Sequence, residues 1–292
     1  MIAANLAKLS RQVEQLEHHR RAAWTSPLAR LAQRRVPCWL AAMELLADPW
    51  TLSLAVLAVA ILGLAKGGFS GLGALATPLL ALALPPVTAA ALLLPVLLVQ
   101  DVVSVWSYRK TWDGWIIGWM LPGALVGVAL GTGLAASVPE EKLLVLLGVI
   151  TLAFGLYRLW LERGRRIVAA SNSPGWLGTL FGVATGFTSQ IAHAGGPPFQ
   201  MWVTPRRLPH QVFVGTSSLT FAAINWMKVP SYLLLGSFNW AVLEAAALLV
   251  PLAIVTTLAG VWLVRRMDTA RFYTLIYLLM IALGLRLIWQ GV

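Results

Sequence analysis

The stretch GFTSQIAHAGGPP, residues 186–198, carries Thr188, Ser189, Gln190, His193, paired glycines and paired prolines among segments apolar enough to lie in lipid. Glycine and proline at that density end a helix. Freed backbone N–H and C=O groups survive at membrane depth only where protein or a watery cavity surrounds them. A continuous span would leave this stretch unexplained. A helix broken so that its polar groups face something would not.

Composition sets the surroundings. Of 292 residues, 59% are apolar and 11% charged, against about 25% charged in a soluble domain. The chain therefore reads as an all-α integral membrane protein, multi-pass and expected in the inner membrane. About 20 apolar residues span the hydrocarbon, so residues 87–108, 115–137, 142–160, 210–232, 240–264 and 272–289 read as full crossings. Indole favours the interface, and of the fourteen tryptophans Trp112, Trp115, Trp160, Trp240 and Trp289 fall at expected helix ends. The formal charge of +11 comes from basic residues in short loops. It reads as a topology signal and not as a nucleic-acid surface. A single cysteine, Cys38, excludes an intrachain disulfide and a thiolate metal cage. No metal or cofactor site is expected.

Residues 1–48 differ in kind. Leu6, Leu9, Val13 and Leu16 repeat at helical spacing beside Arg11, Glu14, Glu17, Arg20 and Arg21. This predicts a short amphipathic helix on the bilayer or against a partner chain, with a loosely ordered basic leader as the alternative. The first apolar stretch is too far from Met1 to be a cleavable signal peptide.

The remainder repeats itself, residues 49–166 against 167–292. GGFSGLGALATP (67–78) matches GFTSQIAHAGGP (186–197) in layout. Pro85-Pro86 and Pro209 then open long helices. TWDGW (111–115) corresponds to SFNW (237–240), and AFGLYRLW (153–160) to ALGLRLIW (282–289). Arg109, Lys110, Arg158, Arg163, Arg165, Arg166, Arg206, Arg207, Arg265, Arg266 and Arg271 all belong in cytoplasmic loops by the positive-inside rule. Residues 176–189, about 14, and 197–204 are too short to cross ~30 Å at about 1.5 Å per residue. They make a re-entrant pair of half-helices, as do 50–65 and 73–84 from the opposite face. A re-entrant pair plus three crossings is an odd count, so the two repeats are inverted. That places the N-terminus outside, whereas the basic leader favours the cytoplasm and parallel repeats; the inverted arrangement is preferred.

Inverted repeats with discontinuous helices meeting at the midplane are a transporter architecture. Helix ends leave N–H groups unpaired, and glycine lets an anion approach them. Gly68, Gly71, Gly73, Gly195 and Gly196 are the expected cradle residues. Ser70, Thr77, Thr188, Ser189 and Gln190 can add donors, and His193 either binds the anion, carries a proton or is a satisfied histidine. Close helix packing is the competing use of the glycines. Lys66 has Asp101 as its natural partner, with Gln100 and Ser104 close by, and either forms a structural pair or binds the ligand. Thr216, Ser217, Thr220 and Asn225 either floor the cavity or bond between helices. Lys228 and Arg286 lie nearer helix ends and are expected to snorkel.

In this order, the motifs resemble those of the sulfite exporter TauE/SafE family, also called the four-toluene sulfonate uptake permease family. The residues that carry the resemblance are the two tips ending in Pro78 and Pro197, Pro85-Pro86, Leu208-Pro209, GTSS (215–218), TWDGW and SFNW, over about residues 50–290. It implies a transporter of sulfite, thiosulfate, sulfonates or related organic anions. Two features depart from the family's pattern: LLPVLLVQD (93–101) where GTS is usual, and the leader.

Export on an ion gradient by alternating access is the expected function, with proton coupling through His193 or Asp101 and a homo-oligomer left open. No P-loop is present to support ATP hydrolysis, and no enzymatic activity is expected. Two rivals exist. GFSG (68–71) fits the Gly-x-Ser-Gly pattern of a rhomboid-type serine protease with His193 as base, although duplication is not what a protease requires. A non-transporting scaffold would not need polar residues at both tips.

Overall fold

The computed structural model describes residues 46–67, 72–163, 173–264 and 270–292; of 162–163, 264 and 270–276 only the backbone is described. The expected leader helix lies outside these residues, as do Gly68, Ser70 and Gly71 at the apex of the first tip. Among the described residues every regular element is helical. In chain order they are α1 (Pro49–Gly67), a 3-10 turn (Leu72–Leu75), α2 (Ala76–Leu80), α3 (Pro86–Tyr108), α4 (Gly114–Ser137) and α5 (Glu140–Arg163). There follow α6 (Gly175–Ala192), α7 (Gly196–Val203), a 3-10 turn (Thr204–Arg206), α8 (His210–Leu234), α9 (Trp240–Val264) and α10 (Ala270–Gly291).

Five helices, α1, α3, α4, α5 and α9, are long and apolar enough to cross a membrane. Helix α8 matches α9 at 25 residues, but Thr216, Ser217, Ser218, Thr220, Asn225 and Lys228 lower its hydropathy. Helix α1 differs from the half-helix expected over 50–65. Its 19 residues extend about 28 Å at 1.5 Å each, close to the ~30 Å hydrocarbon thickness. The short elements are α2, with five residues, and α7, with eight.

The helix starts have local causes. Pro85 and Pro209 directly precede α3 and α8, where a fixed φ and a missing N–H cost nothing. Asp113 accepts from the Trp115 and Ile116 N–H groups at 2.9 and 3.2 Å, and Asn239 from Val242 N–H at 2.9 Å. The polar residue in each tryptophan-bearing loop is thus an N-terminal helix cap. Asp48 does the same for α1 by accepting from the N–H and hydroxyl of Thr51, bonds that hold its carboxyl below the usual carboxylate range.

Packing pairs the first five helices with the last five. Helix α4 lies on α6, α1 on α9, α5 on α10 and α3 on α8, with further contacts of α3 with α9 and α4 with α8. Exchanging α1–α5 with α6–α10 in order leaves this set unchanged. Small residues bring the backbones together, as expected where lipid removes the hydrophobic drive between helices. On α4, a Cβ at Gly123 would stand 1.9 Å from the Thr179 carbonyl oxygen, and one at Gly127 2.0 Å from that of Val183. Gly186, first residue of the opening stretch, is likewise pressed against α4, its Cβ position 2.1 Å from the Ala124 oxygen. Gly63 and Gly67 meet Thr256 and Gly260 between α1 and α9, and Gly148 meets Gly284 between α5 and α10.

Candidate functional site

Helix α6 stops within the opening stretch. His193 follows it in the left-handed region, φ 51°, its N–H bonded to the Ser189 carbonyl at 3.1 Å, while Ala194 N–H reaches Thr188 at 3.2 Å. A non-glycine residue holds this conformation only when its surroundings fix it. The side chain supplies that fixing. Its Nε2 lies 2.9 Å from the Ala90 carbonyl oxygen of α3, and its Nδ1 lies 2.6 Å from Lys228 Nζ of α8. A carbonyl only accepts, so Nε2 carries the hydrogen and Nδ1 accepts from Lys228. Both ring nitrogens are therefore engaged.

The break opens a cavity of about 90 Å³, where one liquid water takes about 30 Å³. Lys66 enters from α1, Ser189 and His193 from the end of α6, Gly196 and Gln200 from α7, and Ser217, Ser218 and Asn225 from α8. Gly73, in the turn before α2, also lines it. A Cβ at Gly196 would find nothing nearer than Gln200 Nε2 at 3.9 Å. This glycine faces open space, unlike those between helices.

The walls carry an ordered polar network. Lys66 forms an ion pair with Asp101 of α3, their side chains 12% and 3% exposed. The other Asp101 oxygen accepts from Asn225 Nδ2 at 2.6 Å. Ser104 donates to the Lys66 carbonyl at 3.0 Å and lies 2.7 Å from the Ser218 hydroxyl. Lys66 Nζ sits 5.6 Å from the Phe221 ring centroid, a cation–π distance. Arg158 donates to Gln200 Oε1 at 2.8 Å and to the Tyr277 hydroxyl, and so fixes Gln200 in the wall.

Of the residues expected from sequence, Lys66, Gly73, Ser189, His193, Gly196, Ser217 and Asn225 meet at this cavity, with Asp101 directly behind Lys66. Others point elsewhere. Thr188 turns its hydroxyl back to the Ala184 carbonyl at 2.7 Å. Thr216 bonds the Val212 carbonyl and accepts from Asp113 N–H at 2.8 Å, joining α8 to the loop before α4. Gln190 lines a separate small hollow with Pro86 and Tyr232, and Gln100 Nε2 reaches the Val59 carbonyl at 3.3 Å. Gly195 is filled from behind, its Cβ position 2.8 Å from the Thr185 oxygen. Thr77 is fully buried, its hydroxyl without a partner among the described residues. Gly68, Ser70 and Gly71 lie outside the described residues.

Three contributors were missed, and Lys228 is the largest correction. It does not snorkel; it is 0% exposed and donates to the Ser189 carbonyl at 3.3 Å and hydroxyl at 3.2 Å as well as to His193. A signal existed, because Ser218, Phe221, Asn225 and Lys228 recur at helical spacing along one face of α8. Arg286, by contrast, is exposed. Arg158 and Gln200 had no comparable signal, since each gains its place only through a distant helix.

The family model described as Sulfite exporter TauE/SafE matches residues 55–287, a range that contains every residue lining the cavity. No curated protein and no solved structure matches the chain.

Proposed function

The chain belongs to the sulfite exporter TauE/SafE family of membrane transporters, and from that membership we propose that it exports a small sulfur-containing or organic anion. Sulfite, thiosulfate and sulfonates are the candidates, and an ion gradient in the inner membrane is the driving force. One observation carries this reading. Hydroxyls, two amides, Lys66 and two glycines line a cavity at a helix break, with Lys228 directly behind its wall, inside a largely apolar bundle. Polar groups at membrane depth are costly and mark solute pathways.

The finer architecture belongs to the same proposal. Residues 49–166 and 167–292 form two inverted repeats, each opening with a longer helix, a break and a short helix (α1 with α2, α6 with α7) followed by three further helices. The packing set that survives exchange of α1–α5 with α6–α10 supports this arrangement. Alternating access then opens the cavity to one side and the other as the two tips rock against their partners. Ser189, Gly73, Gly196 and Lys66 hold the anion, His193 lines the site and fixes Lys228 behind it, and protons move through His193 or Asp101.

Ser189→Ala, which removes a hydroxyl donor from the wall, and His193→Ala, which removes the partner of Lys228, are expected to lower flux about tenfold each, the effect of one hydrogen bond to a charged group, without altering membrane insertion. Sulfite, thiosulfate and sulfonate flux in proteoliposomes, with and without a pH gradient, measures this. Unchanged flux in both variants at equal protein level would remove them from the site.

A further inference from the structure

Lys228 raises a question the transport reading does not answer. It is fully buried, and among the described residues no carboxylate lies within ion-pair distance of it. Its three contacts are all acceptors: the Ser189 carbonyl, the Ser189 hydroxyl and the lone pair on His193 Nδ1. An ammonium has three N–H donors and no acceptor, and the set matches it one for one. Burying such a charge without a counter-ion is expensive. The two residues it grips, Ser189 and His193, both line the cavity, so Lys228 stands one side chain behind the wall. Resting on the transport proposal, we infer that Lys228 is the cation that sets solute charge, so that the site takes a monovalent oxyanion such as hydrogensulfite or an alkanesulfonate in preference to a divalent one.

The charge count gives this its force. Lys66 is neutralised by Asp101, which leaves Lys228 as the surplus. His193 remains neutral, because its Nδ1 accepts from Lys228. Arg158, the next cation, reaches the cavity only through Gln200 and is partly exposed, where solvent screens it. Tyr232, on α8 beyond Lys228, donates its proton to the Gln190 carbonyl at 3.0 Å and adds no charge. Helix α4, packed on α8, contributes no ionisable side chain. The charged side chains at the cavity and directly behind its wall, Lys66, Asp101 and Lys228, therefore sum to one positive charge. A monoanion cancels it, whereas a dianion would leave a net negative charge in a medium of low dielectric.

Methanesulfonate and sulfate test this, since they share a tetrahedral sulfur and differ by one charge. Wild-type preference alone is not decisive, because a dianion is harder to dehydrate; the shift on substitution is the readout. Lys228→Met is expected to weaken methanesulfonate binding by on the order of tenfold or more. Asp101→Asn keeps one acceptor for Lys66, and a turned Asn225 amide can accept from the new NH2, but it raises the charge at the cavity to about two and is expected to move the sulfate-to-methanesulfonate ratio toward sulfate by on the order of tenfold. Thermal stabilisation of the detergent-purified protein reads binding, and proteoliposome flux reads transport. Charge-selective stabilisation without flux would keep this inference and overturn the transport reading. Flux with a ratio that neither substitution moves would keep transport and overturn this inference. No binding of either anion would overturn both.

Discussion

Asp101→Ala is expected to destabilise the protein by about 3–5 kcal/mol, the cost of leaving one member of a buried ion pair without the other. Asp101 accepts from Lys66 with one oxygen and from Asn225 with the other, so the substitution strands an ammonium and an amide together. Lys66 has little alternative solvation, with its side chain only 12% exposed. The Phe221 ring nearby offers a weak substitute, about 0.5–2 kcal/mol at most. Adding Lys66→Met should recover most of the loss, because replacing a whole buried pair by apolar groups is close to neutral. Thermal unfolding of the purified variants decides it. A single variant as stable as wild type, or a double variant no better than the single, would show that the pair is not what holds α1 to α3. Flux should stay low in the recovered double variant, since Lys66 lines the cavity and its loss removes a donor from the wall.

The long helices were legible because composition alone sets their length and ends. The crossing expected over 240–264 coincides with α9, and those over 87–108 and 210–232 agree with α3 and α8 to within two residues. Pro85, Pro209, Asp113 and Asn239 mark starts for reasons that are local to the chain. Helix α1 ran longer than expected because nothing between Ala65 and Gly67 breaks it; Lys66 is polar but a good helix former. The cavity was legible only in part. Its residues come from α1, the turn before α2, α3, α6, α7 and α8, and no spacing in the sequence says which faces of those helices meet. Glycine shows the difficulty most clearly. Gly186 and Gly196 belong to one short motif, yet one is pressed against a carbonyl of α4 and the other borders open space. Distance from a helix end does not place Lys228. The side of the helix it occupies, shared with Asn225, decides its environment instead.

Gly127→Leu should do the most damage of any single change to the bundle, with no monodisperse protein recovered from membranes. The position leaves no room for any side chain, its Cβ site being 2.0 Å from the Val183 oxygen and 2.7 Å from Phe187 N. Overpacking against side chains costs about 1–3 kcal/mol, occasionally more, when rotamers can yield. Here the obstacle is backbone, so α4 and α6 must separate as rigid bodies. Even Gly127→Ala meets the same atoms, and is expected to lower the unfolding temperature and the flux together. The link to flux is geometric, because α6 carries Ser189 and His193 at its end, and any displacement of α6 moves that wall of the cavity. Gly133 on the same helix is the control. Nothing lies within 4 Å of its Cβ position, so Gly133→Ala should be neutral or gain up to about 1 kcal/mol from helix propensity. Equal behaviour of the two alanine variants in thermal unfolding and size-exclusion profiles would mean that the close approach of α4 to α6 is not what holds the cavity wall in place.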